Sequence, residues 1–145
     1  MATSNSDHPG LSDAELVREL ERCRLAPADF PHAAHLRVAH YYLSNDDWLE
    51  AARGMSRTLR RFAASAGKQN LYHETITLAF LQVIGERMAL DARAGEDSAV
   101  FFARHPDLSD RKLLLRYYRP ERLMSPLARA QFIAPEPAAI PYQEI

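Results

Sequence analysis

The sequence predicts an all-α protein, a compact single-domain helical bundle of five to seven helices, on three observations. Val, Ile and Thr together supply only 13 of 145 residues, too few for a sheet-rich chain. No segment alternates apolar and polar residues long enough to make a half-buried strand, whereas several repeat apolar residues every three or four positions. At 47% apolar and 26% charged the composition is that of a globular domain. A chain of this length buries roughly 68–70% of its unfolded surface, so a core forms without disulfides or a structural metal. The expected organisation is a flexible tail over residues 1–10, a helical domain over 11–133 and a proline-rich extension over 134–145.

The first helix starts at a capping box, Ser12-Asp13-Ala14-Glu15, and carries Leu16, Val17, Leu20 and Cys23 to about Arg24. Lone Cys23 then reads as a buried, inert thiol. Asp29-Phe30-Pro31 places a capping carboxylate before a first-turn proline, so a second helix is expected from about Phe30 to Leu43. Ser44-Asn45-Asp46-Asp47 separates it from a third, whose buried stripe is Trp48, Ala52, Met55, Leu59, Phe62 and Ala66, ending at Gly67. Asn70 is the expected cap of a long central fourth helix, its stripe running through Ile76, Phe80, Val83, Ile84 and Leu90 to about Ala94. Beyond Gly95 shorter pieces follow: 97–104, then 109 to about 118, then short helices opened by Pro120 and Pro126.

Polar residues at the start, with no basic region leading into an apolar one, do not read as a secretory signal, and no apolar run approaches the roughly 20 residues that span a bilayer. A cytoplasmic protein without a membrane partner is expected. The formal charge of −1 removes the long-range field of a general nucleic-acid binder, so no nucleic acid is expected either. What remains is function by a local site.

That site is expected among the histidines. His32 and His35 sit about 60° apart on the apolar face of the second helix, with His40 at its edge, while His73 and Thr77 begin the buried stripe of the fourth. If these helices pack, three imidazoles, the Thr77 hydroxyl and Arg87 point into one space. An inward histidine is ordinarily satisfied by a backbone carbonyl. Several on facing helices are costly unless each has a partner, at about 1–3 kcal/mol per unpaired group. His8 lies in the tail and His105 precedes Pro106 as a helix terminator; neither is assigned a role.

Two chemistries fit such a cluster. His32, His35 and His73 could ligate a transition metal. Yet Thr77 stands where His-Glu-x-x-His needs its second histidine, and no Glu-x-x-His or Cys-x-x-Cys exists. The other is cofactor-free acid–base chemistry on a small anion, with histidine as base and arginine or hydroxyl groups gripping the anion. Two basic zones stand out as surfaces for an anionic substrate, a carrier or a protein partner: Arg53, Arg57, Arg60 and Arg61 opposite the third helix's stripe, and Arg111, Lys112, Arg116, Arg119, Arg122 and Arg129 around Tyr117-Tyr118.

Phe30-x-His32-x-x-His35-Leu36-Arg37-Val38-Ala39, Tyr72-His73-Glu74-Thr75-Ile76-Thr77, Pro106-Asp107-Leu108 and Tyr117-Tyr118-x-Pro120-Glu121-Arg122-Leu123-x-Ser125 carry a resemblance over roughly residues 28–133. In them the chain resembles a family of small, uncharacterised, all-helical bacterial proteins; apart from any motif, it looks like the kind of protein found in natural-product assembly, an association that extends to aziridine-forming enzymes. The resemblance implies site roles for His32, His35, Arg37, His73, Thr75 and Thr77, although the helix wheel splits them across faces. Arg37 and Thr75 have a structural alternative, pairing with a neighbouring helix or bonding to the main chain. Ala34 stands where the family often carries an acidic residue, which weakens a metal-ligand role. The reading that results is a cofactor-free acid–base enzyme. His35 or His73 is the base, His32, Arg37, Thr75, Thr77 and Tyr117 hold the substrate, and the reaction is an elimination or ring closure expelling an anion such as sulfate. A histidine-based metal protein and a non-catalytic partner protein are the alternatives.

Overall fold

Local signals in the sequence set most helix starts. The computed structural model describes residues 10–91, 93 and 95–136. Its seven α-helices are Asp13–Glu21 (α1), His32–Asn45 (α2), Trp48–Ser65 (α3), Glu74–Asp91 (α4), Ser98–Arg104 (α5), Pro120–Leu123 (α6) and Pro126–Ala130 (α7), joined by 3-10 turns, with no strand among the described residues. The protein is therefore an all-α bundle. The capping box forms: Glu15 N–H donates to Ser12 Oγ at 3.1 Å and Ser12 N–H to Glu15 Oε1 at 2.8 Å. Asp47 caps α3 by accepting from Glu50 N–H at 2.9 Å, and Pro120 and Pro126 open α6 and α7 in their first turns.

Four local expectations shift. α1 ends at Glu21 because the chain turns left-handed at Cys23, φ 56°, which leaves the helical stripe and sits half-buried near the Arg61 carbonyl. Asp29 does not cap α2: Pro27–Asp29 is a 3-10 turn, Phe30 dives into the core, and Pro31 occupies the cap position without a side-chain bond. Trp48 is 43% exposed and Leu90 88% exposed: Trp48, the first residue of α3, lies against Gly85 of α4 on one side only, and Leu90 stands at the end of α4. α4 begins at Glu74, after a 3-10 turn over Gln69–Leu71, so Asn70 is not its cap.

α2, α3 and α4 pack on one another, with α1 closing α2 and α3 on one side and α7 closing α4. The central place of α4 explains its broad apolar surface, Ala79, Phe80, Leu81 and Ile84. Close approach of α2 and α3 is made possible by Gly54, where an added Cβ would lie 2.9 Å from the Tyr42 ring. The Tyr42 hydroxyl donates to Glu21 at 2.6 Å and bonds Thr58 at 2.8 Å, which ties α1, α2 and α3 together.

The second half of the chain is fastened by ionic and main-chain bonds. Arg87 grips Asp107 with two bonds of 3.0 and 2.6 Å and contacts His105 Nδ1, whose Nε2 meets Asp91 at 2.9 Å. His105, read from sequence as only a terminator, thus joins α4 to α5, and Arg87 faces this clamp rather than the histidine space. Thr75 Oγ1 donates to the Gln131 carbonyl at 2.9 Å and accepts from Ile133 N–H at 3.1 Å. Segment 131–133 is thereby stapled to α4. Residues 1–9, with His8, and 137–145 lie outside the described residues. Among those described, no helix is long and apolar enough to cross a membrane.

Candidate functional site

A cavity of about 540 Å³ opens where α2 and α4 begin and α3 ends. The expected pair of helices supplies His32, His35, His73 and Thr77, all on its wall. The third wall, which the helix projections did not anticipate, is α3 with Met55, Leu59 and Phe62. These side chains, with Leu36, Phe80 and Ile84, make the interior largely apolar. Exposed Lys68, Leu71 and Arg111 form the mouth.

His35 is the group most exposed to this space chemically. Its Nδ1 donates to the Pro31 carbonyl at 3.0 Å, a bond within the first turn of α2 that orients the ring, and its face stacks on Phe30 with centroids 4.0 Å apart. Nε2 has no hydrogen-bond partner among the described residues. His35 lines the cavity wall. Burial pushes its pKa down to about 4, the Pro31 bond opposes that, and His32 and Arg111 add to the depression. The ring is neutral at pH 7 with an Nε2 lone pair on offer.

His32 donates from Nε2 to the Leu108 carbonyl at 3.0 Å and meets Phe80 edge-on at 5.0 Å, so it docks the 106–109 turn onto α2. Burial lowers its pKa as well. His73 is committed at both nitrogens. Nδ1 accepts the Ile76 N–H at 3.1 Å, making His73 the side-chain cap of α4, and Nε2 donates to the Leu123 carbonyl at 2.7 Å. A ring so engaged has no lone pair for a substrate, which separates it from His35. Thr77 donates back to the His73 carbonyl at 2.9 Å.

Three other expected site residues point elsewhere. Arg37 reaches α1, donating to Asp13 at 2.7 Å and to the Leu11 carbonyl. Thr75 staples segment 131–133, and Tyr117 is 41% exposed on the surface. His40 packs on Phe101, 5.4 Å away, outside the cavity. Tyr72 lines it, but its hydroxyl donates to Glu74, and burial with that bond pushes its pKa up to about 12. No group of three or more His, Cys, Asp or Glu side chains among the described residues is disposed to hold a metal. The three imidazoles face one cavity, yet each gives a nitrogen to a backbone carbonyl.

The basic zones are mostly spent on structure. Arg53 pairs with Glu50, Arg60 with Glu74, and Arg61 donates to the Glu21 carbonyl. Arg116 pairs with Asp107, Arg119 with Glu136, while Arg122 and Arg129 hold main-chain carbonyls. Arg57, Arg111 and Lys112 have no side-chain hydrogen bond or ion pair among the described residues, and of these Arg111 alone lines the cavity and acts on His32 and His35 through space. It lies in an aperiodic turn, so no helix projection could single it out. Its charge in the second basic zone was the one available signal.

No protein-family model matches the chain, and neither a curated protein nor a solved structure is similar enough to match it.

Proposed function

We propose that the protein is a cofactor-free acid–base enzyme for a small anionic metabolite, with His35 as the proton acceptor. The observation that supports this best is the unpartnered Nε2 of His35 inside the cavity, its ring held by the Pro31 carbonyl and the Phe30 face. Fixing one imidazole nitrogen so that the other meets the substrate is the usual way a histidine base is oriented. A histidine with a pKa of about 4 is a weak base in the empty cavity. Burial is the main cause; an anionic substrate works against it, because it offsets the Arg111 charge and stabilises the imidazolium. The substrate's charge thus becomes part of the catalyst, and Arg111 both attracts the anion and stabilises its departure.

Within this class the association with aziridine-forming enzymes favours closure of a vicinal amino sulfate to an aziridine. The substrate ammonium gives a proton to His35 Nε2, and the freed nitrogen pair forms a C–N bond at the carbon bearing sulfate. The C–O pair leaves with the sulfate, and the aziridinium so formed gives its second proton to water to become the aziridine. Release of inorganic sulfate from 2-aminoalkyl hydrogen sulfates tests it. His35→Asn keeps a donor for the Pro31 carbonyl but has no imidazole, so release is expected to fall about 10²–10⁴-fold. Equal rates for the two proteins exclude His35 as the base. The apolar walls favour one second reading, a binding protein that holds the same ligand unchanged; in that case His35→Asn alters affinity and neither protein releases sulfate.

A further inference from the structure

Charge and polarity are segregated in the cavity. Its walls between α2, α3 and α4 are aliphatic and aromatic, while its mouth carries Lys68 and Arg111. No Asp or Glu lines it, and neither cation has an ion pair among the described residues. Several other cations are paired, as Arg37, Arg87 and Arg104 show. Two helices, α2 and α4, begin at this end against one that finishes there, so the helix ends add to the positive field. Buried polarity inside is confined to the histidines, Thr77 and Tyr72; His35 Nε2 and His32 Nδ1 have no hydrogen-bond partner among the described residues, and both rings feel the Arg111 charge. The volume falls within the roughly 300–1,000 Å³ of small-molecule sites.

We infer that the ligand is an amphipathic monoanion. Its oxyanion head sits at the mouth between Arg111 and Lys68, its aliphatic body runs along Met55, Leu59 and Phe80, and a polar hydrogen near the head meets His35 Nε2. A compact polar anion leaves the apolar walls wet, and a neutral apolar molecule leaves both cations unpaired, so neither uses the whole site. This rests on the reading that the cavity is the functional site, but it does not require His35 to be catalytic.

Calorimetric titration of the full-length protein with butanoate, hexanoate and octanoate, against 1-octanol and inorganic sulfate, tests the inference. Affinity should rise along the carboxylate series by about fourfold per methylene, the equivalent of about 0.8 kcal/mol per buried CH₂. Octanol and inorganic sulfate should each bind at least tenfold more weakly than octanoate. Arg111→Gln/Lys68→Gln, at exposed positions that do not threaten the fold, should weaken octanoate at least tenfold and leave octanol unchanged. Bound octanoate should also move the midpoint of the His35 titration, followed by imidazole NMR, to higher pH. The groups facing that ring are His32 and Arg111, with Lys68, Tyr72 and His73 sharing its cavity. Failure of octanoate to bind overturns the inference. So does octanol binding as tightly as octanoate, or affinity that ignores chain length. An octanoate complex intact in His35→Asn, with no sulfate release from any 2-aminoalkyl sulfate, sinks the catalytic reading and leaves this one standing.

Discussion

Replacing His73 by alanine separates a base from a cap. The ring closes two main-chain bonds: Nδ1 accepts Ile76 N–H in the first turn of α4, and Nε2 donates to the Leu123 carbonyl at the end of α6. Loss of a side-chain cap costs about 1 kcal/mol. The Leu123 carbonyl, left in a region where His73 is only 7% exposed, costs about 1–3 kcal/mol more. Together His73→Ala should lose about 2–4 kcal/mol, or roughly 6–16 °C in Tm for a domain of this size. His73→Asn restores an acceptor for Ile76 N–H but does not reach Leu123, so it should recover about 1 kcal/mol of that loss. Urea unfolding of the three proteins supplies the free energies, and sulfate release well below the midpoint supplies activity. If His73→Ala unfolds within 0.5 kcal/mol of wild type, or His73→Asn is no more stable than His73→Ala, the capping role is wrong. Complete loss of turnover in a fully stable His73→Ala would restore His73 as the base.

Stability should fall on mild acidification. His32, His35, His40 and His73 all have folded-state pKa values below the unfolded value of 6.5, chiefly through burial, so the unfolded chain binds more protons in that interval. Their contribution is complete above pH 6.5 and drains as pH falls through the folded values; for His35, near 4, it amounts to about 3 kcal/mol. Urea midpoints at pH 7.5 and 4.5 should therefore converge in His35→Asn relative to wild type, and identical pH dependence counts against a buried neutral His35. Gly54→Ala should destabilise by about 1 kcal/mol despite the better helix former. Its methyl meets a Tyr42 ring that Glu21 and Thr58 hold in place, and overpacking of about 1–3 kcal/mol outweighs a propensity gain of about 1; a more stable variant in thermal melts would contradict this. Thr75→Val removes both bonds to segment 131–133 and should cost about 1–3 kcal/mol while opening the chain after Ala130 to protease. Unchanged limited proteolysis would show that the segment is held by packing alone.

The helices were legible where their causes are local. Ser12 with Glu15, Asp47, Pro120 and Pro126 act within one turn, so their spacing in the chain is their geometry. Misread positions have causes outside the window. The left-handed turn at Cys23, the inward Phe30, the half-covered Trp48 and the exposed Leu90 depend on which elements lie beside them.

The cluster of His32, His35, His73 and Thr77 on one cavity was also readable, because two amphipathic faces that must be buried have few ways to meet. The division of labour was not. Whether an imidazole is base or staple depends on what its second nitrogen touches. For His73 that is Leu123, fifty residues away; for Arg37 the partner is Asp13, and for Thr75 it is Gln131. Composition and periodicity alone thus determined an all-α chain with its histidines turned inward. Tertiary structure alone decided that His35 keeps a free nitrogen, that α3 completes the cavity and that Arg111 stands at its mouth unpaired. A helix face follows from the period of the chain, but a hydrogen-bond partner is assigned only when distant segments compete for it.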